Sequence, residues 1–170
     1  MRKFLFLTLL FFTVTLAEAQ TYISLAPSIS NTAGTLADKS NIGIEVGRQW
    51  DVFSLGLAIG KTSLEKVHGT DTTTYLELRP NLNVFQQGKF TNTFTAGIGF
   101  IFNAQESLMT ELTSGIEYSF SDQIHFNVYF GQYYFSGKYS DSNATFFGVS
   151  CAWYLTPNHA KPLIINGRDK

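Results

Sequence analysis

From Phe53 to Gly60 large and small residues alternate. Phe53, Leu55, Leu57 and Ile59 are apolar, and Ser54, Gly56, Ala58 and Gly60 lie between them. A period of two predicts a β-strand with unlike faces. Eight segments carry the pattern. In 22–30, Ile23, Leu25, Pro27 and Ile29 oppose Tyr22, Ser24, Ala26 and Ser28. In 41–50, Ile42, Ile44 and Val46 oppose Gly43, Glu45, Gly47 and Gln49. The stretch from Phe53 runs on to about residue 64. In 74–85, Leu76, Leu78, Pro80, Leu82 and Val84 oppose Tyr75, Glu77, Arg79, Asn81 and Asn83. Segments 90–102, 108–120, 124–135 and 145–155 repeat the design, the last with Phe147, Val149, Cys151, Trp153 and Leu155 on one face. Each is long enough for a tilted strand to cross a bilayer.

The connections alternate in length. Residues 31–40, 65–73, 103–107 and 137–143 form the longer ones, and the segments around Asp51, 86–89 and 121–123 are tight. Trp50, Phe53, Phe85, Phe90, Phe120 and Trp153 all fall near the tight turns and are expected to form an aromatic girdle. Tyr75, Phe102, Tyr134, Phe135 and Phe147 fall near the other end.

The small face decides which side is inside. A soluble sandwich or barrel turns Lys, Glu and Asp outward. Here the second face is mostly Gly, Ser, Thr and Ala, which suits a narrow lumen enclosed by eight strands. Composition agrees. Charged residues are only 15% of the 170, and aromatics are also 15%, with 16 Phe and 8 Tyr. So little charge poorly clothes a soluble surface, and the small net charge gives no footprint for nucleic acid.

Residues 1–19 read as a signal peptide, with Arg2 and Lys3 at the start, an apolar run to Leu16 and an Ala17-Glu18-Ala19 cleavage site. Removing Arg2, Lys3 and Glu18 takes the formal charge from −1 to −2. Cys151 is the only cysteine, so an internal disulfide is excluded. Residues 20–156 are expected to form the barrel, and 157–170, with two prolines and no strand pattern, a periplasmic tail.

Five charges lie well inside strands on the small face: Glu45, Glu77, Arg79, Glu111 and Glu117. An unpaired buried arginine is costly, so Arg79 is expected to pair with at least one of these carboxylates in a polar lumen network. The acidic excess that remains would be met by protons, by water, or by Arg48 or Lys61. The three histidines read more simply. His68 lies in a loop with Ser63, Glu65 and Asp71, His125 faces the lumen, and His159 is in the tail. No metal cluster, phosphate loop or nucleotide motif is present, so no cofactor is expected.

With this pattern the chain resembles the small eight-stranded outer-membrane barrels typified by the OmpA transmembrane domain and OmpX. The likeness covers residues 20–155, and the Ala17-Glu18-Ala19-Gln20 signal end resembles those common in Bacteroidetes. It implies an all-β, up-and-down antiparallel barrel in the outer membrane, porin-like in architecture, with both termini in the periplasm. It also implies lipid and the barrel-assembly machinery as partners. Gly148, Val149, Cys151 and Trp153 resemble the final-strand signal that this machinery reads, although residues 156–170 follow it. The function implied is non-enzymatic: surface loops serving envelope structure or binding a surface or periplasmic protein. A lipid-modifying enzyme using His68 and a secreted lipocalin-like carrier are the alternatives.

Overall fold

The computed structural model describes residues 19–32, 35–63, 72–102, 108–137, 141–156 and 164–165. The alternating segments become eight strands: β1 Gln20–Thr32, β2 Thr35–Trp50, β3 Phe53–Thr62, β4 Thr73–Gln87, β5 Phe90–Ile101, β6 Leu108–Ser119, β7 Ile124–Ser136 and β8 Asp141–Tyr154. Each pairs antiparallel with the next, and β8 returns to β1 through Tyr22↔Tyr154 to Asn31↔Thr145, which closes the barrel. The signal-peptide region 1–18 lies outside the described residues.

Faces follow sequence parity. Leu57, Ile59 and Phe130 point outward and are 51%, 55% and 63% exposed, whereas Ser54, Glu77 and Thr113 point inward and are buried. This is the reverse of a soluble core, where large apolar groups leave the surface. Close strand contact requires small residues on the inner face. A methyl at Gly60 would meet the Ile42 carbonyl oxygen and lie 2.6 Å from Gly43 Cα. Both are backbone atoms of the paired strand and cannot turn aside. Gly60→Ala should therefore cost about 1–3 kcal/mol, read as a lower urea midpoint for the refolded barrel.

The turns at one end are short. Asp51 and Gly88 take positive φ in two of them (36° and 58°), a conformation that Gly and Asp tolerate. The other end departs from the sequence reading. Residues 31–40 do not form a long loop, because β1 and β2 stay paired to Thr32↔Thr35 through a register shift beyond Ser30. Thr, Ser and Asn permit turns without forbidding a ladder, so the hairpin simply continues. For the same reason β8 begins at Asp141, ahead of the expected 145.

Two further features concern phase and tail. A bulge between Asn83 and Phe85 shifts the β4 register and sets Phe85 opposite the exposed Asn92, on the outer face where the girdle reading put it. The tail also carries a strand. Ile164–Ile165 forms β9, which pairs in parallel with Phe85 and Gln86 of β4.

Candidate functional site

The lumen is filled in three levels. At the turn end, His125 Nδ1 is 2.8 Å from Glu117 Oε1. The imidazole packs on Tyr154 at 4.8 Å between ring centroids, and Tyr154 in turn packs on Tyr22 at 5.5 Å.

The middle level is built around Arg79. Its Nη1 donates to Glu45 Oε2 at 2.6 Å. Its Nε and Nη2 grip both oxygens of Glu111, at 3.0 and 2.9 Å. Glu77 Oε2 lies 3.9 Å from Nε. The fork of the guanidinium matches a carboxylate in this bidentate way, and charge-assisted bonds of this kind are the strong ones. Hydroxyls extend the network, with Tyr22 donating to Glu45 Oε1 and Thr113 to Glu111 Oε1, each at 2.5 Å, while Glu77 Oε1 is buried without a hydrogen-bond partner among the described residues.

Register explains the gathering. Glu45, Ala58 and Glu77 lie in one cross-strand row, and Gly56 pairs with Arg79. A Cβ on Gly56 would strike the Glu45 side chain, so the glycine leaves the carboxylate room to reach the guanidinium. Glu45, Glu77, Arg79 and Glu111 thus come together, and Glu117 does not join them. Arg48 and Lys61 lie on the outer phase, so neither reaches the carboxylates. Arg48 Nη1 instead donates to the Ala19 carbonyl at 3.3 Å.

The loop-end level is apolar and aromatic, which the sequence reading missed. Tyr75, Ile101, Met109, Tyr133, Phe135 and Phe146 pack inside as one buried cluster. Tyr133 and Phe146 stack at 4.1 Å and 20°, and Ile101 and Met109 are fully buried. Tyr75 and Phe135 therefore belong to this plug and not to an outer ring. Their parity carried the signal, since each lies an even number of residues from the inward polar residues of its own strand, as Tyr75 does from Glu77 and Met109 from Glu111.

Outside, the turn-end aromatics pair locally. Trp50 stacks on Phe53 at 6.0 Å, Phe90 meets Tyr118 at 5.1 Å, and Phe120 meets Phe126 at 6.2 Å. Trp153 is exposed on the outer face and Phe85 is half-buried. At the loop end Phe102, Tyr134 and Phe147 face outward.

Among the described residues, two cavities bear on this network. One of about 240 Å³ opens at the turn end between Asn83, Lys89, Glu117, Asp122 and His125. Another of about 60 Å³ lies deeper, reaches Glu45 and Arg79, and shares Glu117 and His125 with the first. Among the described residues no cluster of His, Cys, Asp or Glu could hold a metal ion. His68, Glu65, Asp71 and His159 lie outside the described residues. Ser63 is tied to Ser40, its Oγ accepting from Ser40 N at 2.8 Å.

No protein-family model and no curated protein matches the sequence. Solved structures do resemble it. The solution NMR structure of the de novo designed TMB2.3 aligns with a TM-score of 0.56 at 14% identity, over 82% of this chain and 96% of that one. The crystal structure of Neisserial surface protein A (NspA) aligns with 0.52 at 10% identity, over 79% and 94%. Identities this low speak for the fold alone, and the fold is that of a small eight-stranded transmembrane barrel.

Proposed function

We propose that this chain is a non-enzymatic outer-membrane barrel, with a plugged lumen and surface loops serving envelope structure or binding. The observation that carries the reading is the outer belt. Ile23, Ile44, Leu57, Leu78, Ile98, Leu112, Val128 and Val149 put an exposed apolar side chain on every strand. Together they form a band continuous around the barrel, far larger than the patches that soluble monomers expose. Lipid satisfies such a band, and backbone groups closed into a barrel leave no edge within it. On this reading the short turns, both chain termini and the tail are periplasmic, the assembly machinery inserts the chain, and outer-membrane lipid is its main partner. NspA carries the name of a surface protein, which agrees with this placement.

The interior supports a structural role over transport or carriage. Ion pairs and stacked rings leave an inner cavity of about 60 Å³, too small for a sizeable hydrophobic ligand. The purified protein should require detergent and migrate differently on gels before and after heating. In planar bilayers it should show no large, stable conductance. A large conductance overturns the plugged lumen, and a protein that is soluble without detergent overturns the membrane reading.

A further inference from the structure

Two prolines lie inside the barrel strands, Pro27 in β1 and Pro80 in β4. Each interrupts one ladder near mid-strand. Between β1 and β8 the register passes from Leu25↔Cys151 to Ser28↔Gly148 and skips the pairs 26/150 and 27/149. Between β4 and β5 it passes from Leu78↔Ile98 to Asn81↔Thr95 and skips 79/97 and 80/96. The cause is the same in both, since proline has no N–H to give the facing strand. On their other sides both prolines stay paired, as Pro27↔Ile42 and Leu55↔Pro80. Among the described residues the other six ladders of the barrel are unbroken through mid-strand.

The two breaks stand opposite one another. The β8–β1 seam and the β4–β5 seam are four strands apart in either direction, so they divide the wall into β1–β4 and β5–β8. A polar side chain spans each seam from within. Tyr129 Oη donates to the Pro27 carbonyl at 3.3 Å, and Gly148 leaves the ring room to do so, since a Cβ there would strike it. Thr95 Oγ1 donates to Asn81 Oδ1 at 2.9 Å, one residue past Pro80. Both seams border the same inner cavity, which Ser24 and Ser150 line on one side and Asn81 and Thr95 on the other.

We propose that the proline breaks are paired lateral seams, along which the half-barrels β1–β4 and β5–β8 part to join the inner cavity to the lipid, and that Tyr129 and Thr95 latch them shut. The inference rests on the membrane placement proposed above. In water a missing ladder bond is replaced by solvent, but in hydrocarbon it leaves a carbonyl of the facing strand without its donor. A closed wall that carries this cost twice, at opposite points and beside one cavity, has two built-in lines of opening. Arg79 of one half grips Glu111 of the other across the lumen, so the halves move about a fixed centre and do not separate.

The test is amide hydrogen exchange, followed by NMR on the full chain folded in detergent micelles, with folding checked by heat-modified migration. Amides bonded across the two seams should exchange at least about fivefold faster than those at the same height between β2 and β3 or between β6 and β7. Tyr129→Phe should speed exchange across the β8–β1 seam and leave the β4–β5 seam unchanged, and Thr95→Val should do the reverse. Pro27→Ala restores the donor and should slow the β8–β1 seam by a similar factor. Should that variant fail to fold, the Tyr129→Phe comparison decides. Equal exchange across all seams, fast exchange confined to the residues beside the prolines, or no selective response to Tyr129→Phe overturns the proposal. A chain that stays folded and soluble without detergent instead overturns the membrane placement, and with it the lipid end of this path.

Discussion

Arg79→Ala should lower the unfolding free energy by about 3–5 kcal/mol, the cost of breaking a buried ion pair by removing one partner. The substitution leaves Glu45, Glu77 and Glu111 facing one another around an empty centre. The charges nearest to hand do not replace it. Arg48 and Lys61 lie on the outer face, and His125 is bonded to Glu117. Urea unfolding of the refolded barrel in lipid vesicles measures the effect. Arg79→Lys should fall between, because an ammonium keeps the charge but loses the two-point grip on Glu111. Adding Glu45→Gln and Glu111→Gln to the alanine variant should recover most of the loss. A loss below about 1 kcal/mol, the scale of an exposed pair, would mean that the network is solvated and not structural.

Leu57→Arg should cost about 2–4 kcal/mol, the penalty for arginine on a lipid-facing strand near the midplane. Leu57 is at the middle of β3 and is 51% exposed, so the change opens no cavity and forces no overlap in the fold. Only the medium outside the wall is being asked about. Phe53→Arg, on the same face at the turn end, should cost about 0–1 kcal/mol, because depth sets the penalty. In a soluble barrel both substitutions would be nearly neutral, within about 0.5 kcal/mol. The difference between the two sites in vesicles therefore reads the membrane directly.

Much of the fold was legible because one rule, side-chain alternation, survives tertiary packing when each face meets a single environment. Parity placed Glu45, Glu77, Arg79, Glu111 and Glu117 on one side of the wall. It could not give their heights. Glu111 and Glu117 share β6 and a face, yet six residues of strand separate them by about 20 Å. One therefore reaches Arg79 and the other His125. That distinction rests on stagger between strands, which no single segment encodes. The bulge that turns Phe85 outward is likewise a property of the β4–β5 pairing and not of β4. The loop-end plug was missed for another reason: Tyr75 and Phe135 were grouped by their nearness to strand ends, when their parity already pointed inward. Residues 31–40 misled because their turn-prone composition can also sit in a ladder.

The seal at the loop end has a consequence for how this surface can change over time. Tyr133, Phe146, Ile101 and Met109 all belong to strands, and together they shut the bore below the rim. Among the described residues, the seal is built from strand positions alone. On the proposed membrane placement, the connections between these strands can change in sequence and length without loosening that seal, while the staves beneath stay fixed. If the proposed orientation holds, the same separation makes the rim a graft point for displayed peptides.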